Sequence, residues 1–91
     1  MKFLNDHDEE SYNHIVESYK EWTERNLPIP VRDYIEVREC GDVKMFHWPT
    51  SIHWWRFRGT FEELHSRLRN DLPRMCPDVK FYSLLMSPIV I

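Results

Sequence analysis

Residues 31–58, VRDYIEVRECGDVKMFHWPTSIHWWRFR, decide the fold. Within Val31–Cys40, Ile35 and Val37 occupy one side of an alternating pattern. The other side is charged and consists of Arg32, Glu36 and Arg38. A period of two residues is typical of a strand that buries one face against a core. We therefore expect a half-buried strand over Val31–Cys40.

Two more strands follow within the same stretch. Cys40–Asp42 predicts a hairpin turn, and Val43–Trp48 predicts a second strand. A second turn at Pro49–Ser51 leads to Ile52–Arg58, whose aromatic content favours a third strand. Short turns join antiparallel neighbours, so these strands predict an antiparallel meander.

A helix is predicted before the meander. Asp6 with Glu9 indicates a capped helix start near Asp8, and the helix is expected to end at Asn26. Its apolar side chains recur at helical spacing and are Tyr12, Ile15, Val16, Tyr19 and Trp22.

A second helix and a last strand are predicted after the meander. Thr60–Glu63 forms a capping box, and helical apolar spacing continues to Pro73. Val79–Met86 is apolar on both faces, which favours a strand inside the sheet, with a short helix as the alternative. The connector Leu27–Pro30 cannot continue a helix. The order α-β-β-β-α-β predicts a two-layer α+β domain over residues 1–91. We expect an antiparallel sheet of three to four strands with both helices packed on one face.

Composition limits the classes of protein to consider. The chain has 91 residues, a formal net charge of −3 and 42% apolar side chains, among them four Trp, four Tyr and five Phe. This size suits one compact domain. No apolar run reaches the roughly 18 residues of a membrane span, and Met1–Glu10 lacks the features of a signal peptide. We therefore expect a cytoplasmic protein that makes no membrane contact.

Metal and catalytic motifs are missing from the sequence. Cys40, His47, His53 and Cys76 are of the types that bind zinc, but their spacing fits no common zinc finger. There is no G-x-S-x-G elbow, no H-E-x-x-H helix and no glycine-rich phosphate loop. We expect no metal, no cofactor and no enzymatic activity.

Arginines concentrate in the second half of the chain. Residues 1–50 carry six basic and eleven acidic side chains, whereas residues 51–91 carry six and four. The clustered arginines are Arg56, Arg58, Arg67, Arg69 and Arg74. Arginines beside aromatic side chains such as Trp54, Trp55 and Phe57 can neutralise phosphates while the rings stack on bases.

The order helix, three strands, helix resembles the double-stranded-RNA-binding domain. The resemblance implies RNA binding, but such domains place lysines at the start of the last helix. This chain has Thr60, Glu62 and Glu63 there, and the two glutamates would repel phosphates. Nucleic-acid binding through the Arg56–Arg74 region is therefore the alternative prediction.

Protein recognition is the leading prediction. Trp, Tyr and Arg carry much of the binding energy at interfaces. The candidate contact residues on two successive strands are Trp48, Trp54, Trp55, Arg56 and Arg58. Each tryptophan alone is also explained by the core of a small domain. Because Trp54 and Trp55 are adjacent in a strand, they point to opposite faces and at most one enters the core.

A second candidate surface is the acidic side of the first helix, with Glu17, Glu21 and Glu24. It would attract a partner with basic grooves, such as a nucleic-acid-binding enzyme. We expect a stand-alone protein-binding module, an inhibitor or accessory protein of the kind that bacteriophages or toxin–immunity systems encode. A homodimer through the aromatic strands is a further expectation.

Overall fold

The structure is a computed structural model that describes residues 1–27, 34–48, 51–72, 80–82 and 88–89. Residues 88 and 89 are described by their backbone alone. Over these residues it contains two helices and six strands. They are β1 (Lys2–Phe3), α1 (Asp6–Glu24), β2 (Tyr34–Cys40), β3 (Val43–His47), β4 (Trp55–Arg58), α2 (Phe61–Asp71), β5 (Lys80–Tyr82) and β6 (Pro88–Ile89). Residues 28–33, 49–50, 73–79, 83–87 and 90–91 lie outside this description. Parts of the predicted connector, second turn and last strand fall there.

The sheet is larger than predicted and mixed. Its strand order is β1-β4-β3-β2-β5-β6. The meander of β2, β3 and β4 is antiparallel, as expected, and β1 pairs antiparallel with β4. However, β5 pairs parallel with β2. The prediction of an antiparallel sheet of three to four strands is therefore wrong, whereas the α+β class is confirmed.

The parallel pair follows from the path of the chain after the meander. β4 runs in the same direction as β2, and α2 then carries the chain back across the sheet. A strand that begins after such a crossover runs parallel to the strand that preceded it. β5 therefore emerges beside β2 in the same direction.

Helix α1 begins at Asp6 rather than near Asp8, and its cap is Asn5, one residue before the predicted cap Asp6. The Asn5 side chain, rather than that of Asp6, accepts a hydrogen bond from the backbone N–H of Asp8 at 2.8 Å. Asn caps a helix as well as Asp does, and the acidic first turn then faces the positive end of the helix dipole. Tyr12, Val16 and Tyr19 are the buried apolar residues of this helix.

Helix α2 carries the predicted capping box. The Thr60 hydroxyl accepts from the Glu63 N–H, and the Glu63 carboxylate accepts from the Thr60 N–H. The same carboxylate pairs with the N-terminal ammonium of Met1. The ammonium lowers the pKa of the Glu63 carboxyl below its usual 4.5, with the Thr60 backbone N–H adding to the effect.

The core lies between the helices and one face of the sheet. Leu64 and Leu68 of α2 and Tyr12 of α1 belong to the same cluster of buried residues. The strands supply the other members, which include Phe3, Ile35, Val37, Phe46, Trp55, Phe57 and Phe81. Both helices therefore cover this face, which leaves the opposite face of the sheet free of any described helix. Neither helix in the described part of the chain has the length and apolarity to cross a membrane.

Candidate functional site

The register of the strands decides which side chains share the outer face of the sheet. Met45 of β3 lies between Arg38 of β2 and Arg56 of β4. Their sequence neighbours Val37, Phe46 and Trp55 are buried, and successive side chains of a strand point to opposite faces. The two arginines and the methionine therefore point away from the core. Neighbouring strands are about 4.8 Å apart, so the two arginine backbones lie about 10 Å apart.

Further cations extend this surface. Lys2 of β1 is paired with Arg58 of β4, which stands two residues from Arg56 on the same face. Lys80 of β5 is paired with Tyr34. We call this outer surface the basic face. It comprises Lys2, Arg38, Met45, Trp54, Arg56, Arg58 and Lys80.

The five cations of the basic face are exposed. Among the residues that the structure describes, none of them is in an ion pair. Several cations elsewhere are paired, as in Lys20 with Glu17 and Arg67 with Asp71. The basic face therefore presents five exposed cations to an anionic partner, with the half-buried carboxylate of Glu36 on the same side of the sheet.

Trp54 forms the aromatic part of the basic face. Its ring stacks on that of His47, with centroids 3.8 Å apart and planes 25° apart. The His47 ring contacts oxygens of Glu36 and Ser51 through its two nitrogens. The neighbouring Trp55 has the opposite environment, since it is 1% exposed and stacks on Phe46 in the core. Trp54 is therefore the member of the pair that is accessible.

A buried carboxylate ties helix α1 to the strand that carries Arg56. Asp8 is the buried charged residue of the described ranges, at 4% exposure. Its oxygens accept hydrogen bonds from the Arg56 backbone N–H at 3.2 Å and from the Asn5 amide at 3.3 Å. His53 Nε2 lies 2.9 Å from the same carboxylate. These bonds satisfy a charge that would be costly to bury alone, and they fix the start of β4.

The structure divides the predicted contact residues between the core and two separate surfaces. Trp48 and Trp55 are each 1% exposed, so their side chains support the sheet from within the core. Trp54, Arg56 and Arg58 share the basic face. The glutamates of the acidic surface, Glu17, Glu21 and Glu24, are exposed on α1 in the helical layer, on the other side of the molecule from the basic face.

The predicted arginine cluster is also divided. Arg56 and Arg58 belong to the sheet, whereas Arg67 and Arg69 belong to α2. The Arg67 guanidinium stacks over the rings of Phe3 and Tyr12, which engages it in packing. Arg74 lies outside the described residues. The four described arginines of the predicted cluster therefore do not lie on one surface.

The candidate zinc ligands that the structure describes do not form one site. Cys40 is exposed at the hairpin with a free thiol, while His47 and His53 contact different carboxylates. Cys76 is not among the described residues. Within the described ranges, no three side chains of metal-binding type come together.

The sequence did not identify four members of the basic face. Arg38 was assigned to the polar side of its strand, but Lys2, Lys80, Met45 and Arg38 were not connected with Arg56. The turn at Gly41 allows the pairing of Arg38 with Met45 to be predicted. A two-residue turn pairs Cys40 with Val43, and counting back from this pair places Arg38 opposite Met45.

No family model, curated protein or solved structure matches this chain. The resemblance to the double-stranded-RNA-binding domain therefore rests on element order alone.

Proposed function

We propose that this protein is a binding module that docks an acidic surface of another protein on its basic face. The observation that carries the proposal is the group of five exposed cations on a sheet face that no described helix covers, none of them in an ion pair with a described residue. An inhibitor or an accessory protein would act in this way, by occupying its partner in a one-to-one complex.

The residue types of the basic face favour a protein partner. Arg, Met and aromatic side chains are enriched at protein interfaces, and Trp and Arg are the commonest residues at which binding energy concentrates. Met45 supplies an apolar centre between Arg38 and Arg56, with Trp54 beside them. A partner that sets carboxylates around an apolar patch would complement this arrangement.

Single-stranded nucleic acid is the second candidate. It is favoured by Trp54 beside Arg56, because a ring next to a guanidinium can stack a base while the cation binds a phosphate. Against it, two of the arginines predicted for this role, Arg67 and Arg69, belong to α2 and not to the basic face. Protein binding therefore leads.

A pull-down with matched variants tests the proposal. The first variant neutralises three cations of the basic face with Arg38→Gln, Arg56→Gln and Arg58→Gln. The control neutralises three exposed cations elsewhere with Lys20→Gln, Arg25→Gln and Arg69→Gln. Both variants change the net charge equally. Lys20 and Arg25 of the control are paired with Glu17 and Glu21, so the control tests the effect of total charge. Cell lysate is passed over each protein with and without nuclease, and bound material is identified by mass spectrometry.

We expect a protein that remains after nuclease treatment, at near one-to-one amount, and that only the basic-face variant loses. Its retention should weaken at high salt, because exposed charge pairs are screened. Nuclease-sensitive recovery of nucleic acid would instead favour the second candidate. Equal loss by both triple variants would refute the assignment of binding to the basic face.

A further inference from the structure

His47 sits between two oxygens beneath Trp54. Its Nδ1 lies 3.1 Å from the backbone carbonyl oxygen of Ser51, and its Nε2 lies 3.0 Å from Glu36 Oε2. The imidazole thus links β2 to the segment that follows β3. We call the linked groups of Glu36, His47 and Ser51 the histidine bridge.

The partners of His47 determine which protonation state completes the bridge. A carbonyl oxygen and an ionised carboxylate can only accept hydrogen bonds. A neutral imidazole has one N–H, so it donates to one partner and turns a lone pair toward the other. An imidazolium has two N–H groups and donates to both. Both bonds of the bridge therefore form together when His47 carries both protons.

The charged groups around the bridge are few. On the outer face, Glu36 lies directly beside His47, and Arg38 and Arg56 lie diagonally on the adjacent strands. Tyr82 of β5 pairs with Glu36, and Tyr34 contacts Tyr82 ring to ring at 5.6 Å. Glu36 is the one anion among these described residues. When His47 is neutral, the negative charge of Glu36 reduces the net positive charge of the basic face.

We propose that protonated His47 is a positioning residue that holds Trp54 in place on the basic face, so that acidic partners bind more tightly as pH falls. The inference rests on the function proposed above. Two effects act in the same direction. The completed bridge fixes the imidazole on which the Trp54 ring stacks, and the imidazolium offsets the charge of Glu36. By linkage, an anionic partner then favours the protonated state of His47.

Glu36→Gln separates this mechanism from a merely structural role. The Gln amide can donate to the lone pair of Nε2 in a neutral imidazole whose Nδ1 donates to Ser51. The bridge is then complete without a second proton. Glu36→Gln should therefore keep Trp54 in place at all pH values, whereas the wild type should lose this order as His47 loses a proton. His14→Gln is the control, because His14 is exposed on α1.

Two measurements follow the wild type and both variants between about pH 5 and about pH 8, where histidines titrate. The first is the NMR resonance of the Trp54 indole N–H beside those of the His47 ring. The second is the affinity for fluorescein-labelled polyglutamate, an acidic polypeptide probe. In the wild type we expect the Trp54 indole resonance and the His47 ring resonances to shift together. We also expect affinity to rise about two- to fivefold toward low pH, because offsetting one anion on the face should change binding by about as much as one surface ion pair does.

Glu36→Gln should flatten the Trp54 profile and raise the affinity for polyglutamate at neutral pH, because the variant lacks the negative charge of Glu36; His14→Gln should leave the Trp54 profile unchanged. The proposal would be overturned if the Trp54 resonance did not shift together with the His47 ring resonances. It would also be overturned if the Trp54 profile of Glu36→Gln equalled that of the wild type. If Trp54 follows His47 as described but polyglutamate binds at no pH, positioning by the bridge is supported and the docking of acidic surfaces is refuted.

Discussion

The two adjacent tryptophans should respond oppositely to truncation. Trp55 is 1% exposed, stacks on Phe46 at a centroid distance of 5.5 Å and meets Trp48 edge-on at 5.2 Å. Removing such a ring loses its burial and leaves a cavity, which costs about 3–5 kcal/mol. Small domains have about 5–15 kcal/mol of stability in total. Trp55→Ala should therefore leave the chain partly unfolded or close to unfolding.

Trp54→Ala should cost much less stability. Its main described ring contact is the stack on His47, and an aromatic pair contributes about 0.5–1.5 kcal/mol beyond burial. Its effect should appear in partner binding, since Trp54 belongs to the basic face. Urea denaturation followed by far-ultraviolet circular dichroism measures both free energies of unfolding. Equal losses of stability in the two variants would refute the assignment of one ring to the core and the other to the surface.

Three further predictions concern the scaffold. Asp8→Ala should destabilise the fold by about 2–4 kcal/mol in urea denaturation, because the Arg56 N–H loses its acceptor; a loss under about 0.5 kcal/mol would contradict the anchoring role. Glu63→Gln keeps the capping box but removes the charge that pairs with the N-terminus. Its melting temperature should be below that of the wild type at neutral pH, and the gap should close as pH falls through the pKa of the Glu63 carboxyl, which lies below 4.5 in the folded state. A gap that persists at lower pH would exclude the ion pair as its cause. Gly41→Ala should cost about 1 kcal/mol in thermal melts because φ is +62° there, whereas Gly41→Asn should be better tolerated; equal costs would argue against strain.

Local patterns in the sequence predicted the local elements well. The alternation of Ile35 and Val37 identified β2, and both are buried as expected. The capping box at Thr60 identified the start of α2. These features depend on interactions between residues close in the chain, which a sequence pattern records. For the same reason, the antiparallel order of the meander was predictable from its short turns.

Strand pairing between residues far apart in the chain was harder to predict from the sequence. β1 has two residues, too few for alternation to be recognised, and it is held by pairing with Arg58 and Phe57 far along the chain. The parallel pairing of β5 with β2 depends on the course of the whole crossover. The third predicted strand began at Ile52, but β4 begins at Trp55. The Ser51 hydroxyl accepts from the His53 N–H in this segment, and such local bonds compete with strand pairing.

The candidate site was only partly predictable, because the register of the paired strands decides which side chains lie side by side in it. Arg56 and Arg58 were identified as a local cluster, whereas Arg38 joins them only once β2, β3 and β4 are paired. The sequence placed Asp8 only near the start of a helix. Its bonds to Arg56 and His53 join residues more than forty positions apart, and no local pattern records them.

Net charge is a poor guide to what the basic face binds. The formal charge of −3 counts the carboxylates of α1 equally with the cations of the sheet. A helix packs about 10 Å from its neighbour, and charges in physiological salt are screened over about 8 Å. A partner docked on the basic face therefore interacts mainly with the cations there, while exposed α1 residues such as Glu17 and Glu21 are paired locally with Lys20 and Arg25. The two layers thus separate the charges of a mildly acidic chain, and the electrostatics of binding depend on the face that is presented.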